Sequence, residues 1–312
     1  MKKVLEVKNL CKKYGDFIAV DKLSIHLNEG EILGLLGPNG AGKSTTISIL
    51  STILPKNSGE INFFGLPYEE NMKEIKERIG IVPQEIAIYE NISAYKNVEF
   101  FASLYNVKKS ELNERVLSAL EFVGLLEHKD DKPKTFSGGM KRRLNIACAI
   151  AHEPEILILD EPTVGIDPQS RNHILSSLKQ YQKKGKSIIY TTHYMEEVAE
   201  ISDRIIIIDH GNKIAEGSLK ELLAEYKNTM KYIFHLDSIN DGVIQVLKSM
   251  QEIEKIECSE LTLSITLSKS SKELDQIILV LMEHNCKITK METQEGNLEM
   301  VFLELTGRKL RD

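Results

Sequence analysis

The segment Gly37-Pro38-Asn39-Gly40-Ala41-Gly42-Lys43-Ser44 limits the possible fold of this chain more than any other. It follows the apolar run Ile32 to Leu36 and precedes the helix-like stretch Thr45 to Leu50. A strand that breaks into a glycine turn and re-enters a helix is the setting a phosphate-binding loop needs. The glycines let the backbone wrap so that several N–H groups converge on one anion. The helix N-terminus adds a partial positive charge at the same place. Lys43 brings a mobile full charge for β- and γ-phosphates, and the Ser44 hydroxyl is suited to ligating magnesium.

The surrounding chain alternates short β-branched runs with helix-like stretches, which predicts an α/β sheet built largely from crossover units. Ile32 to Leu36, Ile156 to Leu159 and Ile188 to Thr191 are almost continuously apolar, the pattern of parallel strands covered on both faces. Leu5 to Leu27 reads as β-rich, with a turn at Tyr14-Gly15-Asp16. Residues 90–150 read as a helical subdomain, with Val116, Ala119, Leu120 and Val123 on one helical face. Ile205 to Asp209, His210-Gly211-Asn212 and Lys213 to Ala215 predict a hairpin. Ser218 and Glu221 form a capping box for a short helix ending near Tyr226, which places a domain boundary at about 228. Residues 229–312 then change rhythm. Tyr232, Phe234 and Leu236 alternate, as do Leu261, Leu263, Ile265 and Leu267, while Val243 to Met250 and Leu274 to Leu281 follow helical spacing. With Ile288 in a strand and Leu298 to Leu305 in a last helix, the order β-α-β-β-α-β-α predicts a small ferredoxin-like accessory domain.

Two further segments carry chemistry. Leu157-Ile158-Leu159-Asp160-Glu161 is an apolar strand ending in paired carboxylates. Asp160 at that strand end is placed to hold magnesium through water, and Glu161 to orient or deprotonate an attacking water. Ser137-Gly138-Gly139-Met140-Lys141, continued by Arg142-Arg143-Leu144-Asn145-Ile146-Ala147, opens a helix with a hydroxyl and two glycines, so hydroxyl, bare N–H groups and helix dipole face one anion.

Together, over about residues 4–226, these segments resemble the ATP-binding-cassette ATPases of ABC transporters. The resemblance implies an ABC-type P-loop NTPase fold, with ATP as nucleotide and Mg2+ as its metal. Gly37, Pro38, Asn39, Gly40, Ala41, Gly42, Lys43, Ser44 and Thr45 would bind nucleotide, with Ser137, Gly138 and Gly139 as the signature motif. Tyr14 resembles the aromatic that stacks on adenine. Gln84, after Ile81-Val82-Pro83, resembles the glutamine that senses magnesium and links to the membrane subunit. Asp167 resembles the loop aspartate that communicates across the dimer. His193 resembles the switch histidine at the γ-phosphate. The catalytic set so implied is Lys43, Gln84, Glu161 and His193, and the metal set Ser44, Gln84 and Asp160. Met140 stands where most of the family carries Gln. The Met-Lys-Arg-Arg continuation and the ending Val301-Phe302-Leu303-Glu304-Leu305-Thr306-Gly307 resemble a subgroup of bacterial drug and sodium exporters.

The implied protein is the ATP-hydrolysing subunit of an exporter. It would form a head-to-tail homodimer, dock peripherally on a separate membrane permease subunit, and work at the cytoplasmic face of the membrane. Lys43 and one loop cannot saturate a four-negative nucleotide, and the Ser137 helix start is a second anion receptor on the same chain. Two other readings are a nutrient importer subunit and a soluble cassette ATPase acting on nucleic acid or ribosomes. A net charge of −6 and pI of about 5.9 weigh against nucleic acid. The start MKKVLEVKNL is too polar for a signal peptide, and no apolar run approaches the roughly 20 residues needed to span a bilayer. Cys11, Cys148, Cys258 and Cys286 are scattered without metal-ligand spacing and read as small buried residues.

Overall fold

The computed structural model describes residues 2–226, 229–251, 253–268, 274–294 and 297–306. The chain divides into two compact units between Leu219 and Lys220. The helix Leu219–Tyr226 lies across that division, and the boundary read from the sequence falls just past its end.

The first unit is built on a six-stranded sheet. From edge to edge its strands are Asn212–Gly217, Arg204–Asp209, Ile32–Leu36, Ser187–Thr192, Ile156–Asp160 and Ile79–Val82. Neighbours are parallel throughout, except that Asn212–Gly217 pairs antiparallel at the edge. The three central apolar runs are buried along their whole length. Their uninterrupted hydrophobicity follows from being covered on both faces.

One cover is a four-stranded antiparallel sheet in the order Phe17–Asn28, Lys3–Tyr14, Ser58–Phe63, Leu66–Pro67. Its inward residues, among them Leu5, Val7, Leu23, Ile25 and Phe63, share a core with Leu33, Leu35, Ile158 and Ile206. The opposite face packs the helices Ala94–Ser103, Lys109–Phe122 and Gly138–Ile150, with Val116, Leu120, Leu144 and Ala147 meeting Leu157, Leu159 and Ile188. The stretch read as helical is interrupted between Phe122 and Gly138, where only two short 3-10 turns form.

Every parallel strand points its carboxyl end to one edge. Four of the five chain segments that leave there carry the site's chemistry: the glycine loop after Leu36, the turn after Val82, Asp160-Glu161, and His193 after Thr192. Open α/β sheets bind ligands at such an edge.

The second unit runs through Thr229–Leu236, Asp241–Ser249, Ile253–Ser259, Thr262–Ser268, Leu274–Glu283, Ile288–Gln294 and Leu298–Thr306. Its four strands lie in the spatial order second, third, first, fourth, all antiparallel. That is the ferredoxin-like order, and the unit has its own core around Phe234, Val243, Leu247, Ile265 and Ile277. All four cysteines are free: Cys148 and Cys286 are buried as expected, Cys11 is half-buried, and Cys258 is exposed, against the sequence expectation.

Candidate nucleotide site

Gly42 takes φ +100°, and a Cβ there would lie 2.4 Å from the Ala19 carbonyl oxygen. At Gly37 a Cβ would meet the Ile208 carbonyl at 2.3 Å. Backbone, not side chain, fills that space, so the loop can wrap tightly only with glycine at both positions. The helix Lys43–Leu50 begins immediately after it.

Lys43 is 4% exposed, and its ammonium turns back to donate to the carbonyls of Gly37 at 2.8 Å and Pro38 at 3.1 Å. Its Nζ also lies 3.4 Å from Glu161 Oε1. Burial pulls the Lys43 pKa below the usual lysine value, and Glu161 opposes that shift.

Glu161 stands at the centre of the site, 5% exposed and with φ +45°, a left-handed conformation uncommon outside glycine. Its N–H reaches both the carbonyl and the hydroxyl of Thr191 at 3.1 Å. Gln84 Nε2 donates to Glu161 Oε2 at 3.3 Å. His193 Nδ1 lies 3.3 Å from Glu161 Oε1, but its alignment is not that of a hydrogen bond, and this nitrogen is buried without a partner. Asp160 Oδ1 accepts from Thr191 Oγ1 at 2.7 Å and from Ser44 Oγ at 3.4 Å. Tyr14, Asn39, Gly40, Gly42, Lys43, Ser44, Thr45, Gln84 and Glu161 line one cleft.

Ser137, Gly138, Gly139 and Asp167 do not line it. Ser137 caps its helix, its Oγ accepting from Met140 N at 3.2 Å, and so keeps its own proton to donate to an anion. Asp167 caps the helix Pro168–Lys183 by accepting from Ser170 N at 2.9 Å, and these amide contacts lower its pKa. The two caps adjoin: a Cβ on Gly139 would lie 2.0 Å from Ser170 Oγ and 3.3 Å from Asp167 Oδ2. Met140 packs its side chain against the helical core, so its departure from Gln falls on the inward side of the helix.

Residues 20–164 match the ABC transporter family. Along nearly its whole length the chain is similar to the linearmycin resistance ATP-binding protein of Bacillus subtilis, with 44% identity over 99% of this chain and 100% of that protein. It is 33% identical to the Nod factor export ATP-binding protein I of Cupriavidus metallidurans, over 100% of both chains. The chain belongs to the ATP-binding proteins of the ABC transporter family.

Among solved structures, the cbiO1 component of an ABC transporter complex from Clostridium perfringens superposes with a TM-score of 0.67 at 31% identity, covering 80% of this chain and 96% of that one. An ATP-binding cassette in a dimeric post-hydrolysis state with ADP and Pi gives 0.63 at 28% identity, covering 69% of this chain and 98% of that one. Membership in this family makes the chain an ATP-binding, ATP-hydrolysing protein. No helix among the described residues is long and apolar enough to cross a membrane.

Within the ABC cassette, three side chains escaped the sequence reading. Phe17, 63% exposed, lines the cleft together with Tyr14 because the hairpin turn brings both strand ends there. Thr191 holds both Asp160 and the Glu161 amide. Glu197, 1% exposed, accepts from Thr163 at 2.8 Å, Tyr190 at 2.7 Å and Thr192 at 3.1 Å. It thereby ties the loop after Glu161 to the strand end before His193. An aromatic beside the turn was the one local signal available for Phe17; Thr191 and Glu197 gain meaning only from tertiary contacts.

Proposed function

We propose that this protein hydrolyses ATP to drive export through a separate membrane permease, from the cytoplasmic face of the membrane and as a homodimer. The observation that carries the site assignment is the convergence of Lys43, Gln84 and His193 on the buried Glu161 carboxylate. Export is supported by the similarity to the linearmycin resistance and Nod factor export ATP-binding proteins, and pairing by the dimeric cassette among the structural neighbours.

In this reading the loop Gly37 to Ser44 receives the phosphates, with Thr45 at the helix start behind it and Tyr14 and Phe17 offering ring faces to the base. Lys43 moves its ammonium from the Gly37 and Pro38 carbonyls onto phosphate oxygens. Magnesium, when bound, neutralises charge on the phosphates, and Ser44, Asp160 and Gln84 would hold it. The donor set fits a hard cation: a hydroxyl, a carboxylate and an amide oxygen, with Ser44 and Asp160 already in contact. Among the described residues no cluster of three acidic, His or Cys side chains forms a metal cage. A metal held largely by phosphate and water suits this arrangement. Glu161 takes the proton of the attacking water, and His193, with a free buried Nδ1 beside it, orients toward the terminal phosphate. Ser137 and the Gly138–Gly139 amides of a second copy close over the nucleotide, and Asp167, adjoining that helix start, communicates across the interface.

Reconstitution with a membrane partner of multiple spans tests the reading. ATP-dependent movement of solute out of the cytoplasmic compartment is expected. Movement in the opposite direction would make the protein an importer subunit, and association with ribosomes or nucleic acid instead of a permease would overturn both.

A further inference from the structure

We propose that Arg142 is a positioning residue for ATP hydrolysis: from the helix behind Ser137 it grips the turn that presents Gln84 to Glu161. The inference rests on the reading of Glu161 as base and Gln84 as its neighbour in the site.

Three consecutive cations follow Met140, and the fold sends them to different places. Lys141 pairs with Glu90 at the surface, Nζ to Oε1 at 2.5 Å. Arg143 donates to the carbonyls of Val123 and Gly124, at 3.0 and 3.3 Å, where the preceding helix ends. Arg142 alone turns toward the site. It is 3% exposed, with Nη1 donating to the Pro83 carbonyl at 2.8 Å and Nη2 to the Gln84 carbonyl at 2.5 Å. Successive carbonyls of one turn are thus held by the two arms of one rigid, planar fork, a geometry that a lysine ammonium does not reproduce. Gln84 then donates its side-chain amide to Glu161 Oε2 at 3.3 Å. The path from the Ser137 helix to the Glu161 carboxylate is therefore one guanidinium and one glutamine long.

The electrostatics are those of a buried cation, a state shared with Arg143, whose Nε is likewise buried without a partner. No carboxylate among the described residues pairs with the Arg142 guanidinium, and its Nε is buried without a partner. Burial lowers its pKa, and the opposing influence comes from Tyr190. A desolvated cation without a carboxylate adds little net stability. Its measurable contribution is the geometry it imposes on Pro83 and Gln84.

The test is a double-mutant cycle on the full chain. Arg142→Met, Arg142→Lys, Gln84→Ala and the Gln84→Ala double variants are assayed for kcat, KM for ATP and melting temperature, with Glu161→Gln alongside. Arg142→Met is expected to lower kcat about tenfold or more, the scale of a displaced catalytic group, with KM held within about twofold. Arg142→Lys falls between it and the wild type. On the Gln84→Ala background either Arg142 substitution changes kcat by less than about twofold, because the effect passes through Gln84. If Arg142→Met does not fold, the Arg142→Lys arm of the cycle decides alone. Unchanged kcat in the folded Arg142 variants, or a loss repeated in full without Gln84, overturns the role. Turnover retained in Glu161→Gln removes the base assignment itself. Turnover lost there but kept in both Arg142 variants removes only the role of Arg142.

Discussion

Replacing Glu161 by Gln keeps the shape of the side chain and deletes the charge at the centre of the site. In the wild type, Glu161 Oε1 lies 3.4 Å from Lys43 Nζ, and Oε2 accepts from Gln84 Nε2 at 3.3 Å. At an effective dielectric of about 20, the charge pair alone is an attraction of about 5 kcal/mol before desolvation is set against it. An amide has only one oxygen to offer. Turned to Gln84, it leaves its NH2 against the Lys43 ammonium; turned to Lys43, it leaves NH2 against the Gln84 amide. Either a donor–donor contact remains or the Gln84 amide turns over to present its own oxygen, and with the charge pair lost the nucleotide-free variant loses about 1–3 kcal/mol of stability. Lys43, no longer shared with a carboxylate, is fully available to phosphate. ATP affinity therefore stays within about threefold of wild type or tightens, and ATP raises the melting temperature by more than it does in the wild type. Turnover falls at least about a hundredfold, or about 2.7 kcal/mol in barrier, the scale of a lost general base. Phosphate release at saturating ATP and a fluorescent-nucleotide titration measure both quantities. Turnover within about tenfold of wild type would refute the assignment of the base, and a collapse of ATP affinity would refute the competition for Lys43.

Lys43→Ala abolishes ATP binding, because among the described residues Lys43 is the one lysine lining the cleft; a titration with unchanged affinity contradicts this. Tyr14→Ala and Phe17→Ala each weaken ATP binding by about 1–3 kcal/mol if the rings carry the base, as aromatic–base stacking does elsewhere. Unaltered KM in both places the adenine elsewhere. His152 gives the first unit an acid sensitivity. Burial against the Tyr105 ring lowers its pKa from 6.5 to about 4. Above about pH 6.5 neither folded nor unfolded chain carries that proton. Below it the unfolded chain takes up a proton that the folded chain refuses, so stability falls as pH drops toward 4. Between pH 7 and 4.5 this amounts to about 2–3 kcal/mol, and His152→Phe removes that part of the dependence. Denaturant melts with the same pH slope in both proteins contradict it.

The glycine loop, Asp160-Glu161 and the Ser137 helix start were legible because each is a local device: its chemistry requires certain residue types at fixed spacing next to one strand or helix. The ferredoxin-like order of the second unit was legible for a similar reason, its strands and helices carrying clean periods of 2 and 3.6. What stayed hidden depends on residues distant in sequence meeting in space. Arg142 looks like one more surface cation until the Gln84 turn is seen to close over it. Gly139 looks like a generic helix-opening glycine until Ser170 is found where its side chain would be. The strand Ser58–Phe63 carries little sequence signal because only Ile61 and Phe63 of its six residues are buried. Cys258 reads as buried because cysteine usually is, but its strand, Ile253–Ser259, is an edge strand with mostly exposed residues.

The central claim is that the loop ending at Lys43 in one copy and the Ser137 helix start in another enclose one nucleotide. Paired cysteines at Asn39 and Gly138 test it most directly, in a Glu161→Gln chain with Cys11 and Cys258 replaced by Ser. Asn39 is exposed on the loop, and a Cβ at Gly138 meets nothing within 4 Å, so both positions accept the thiol. With ATP and magnesium, mild oxidation should give a disulfide-linked dimer that is absent with ADP and absent when Lys43 is also Ala. A chain that binds ATP yet never joins these two positions between copies contradicts the account.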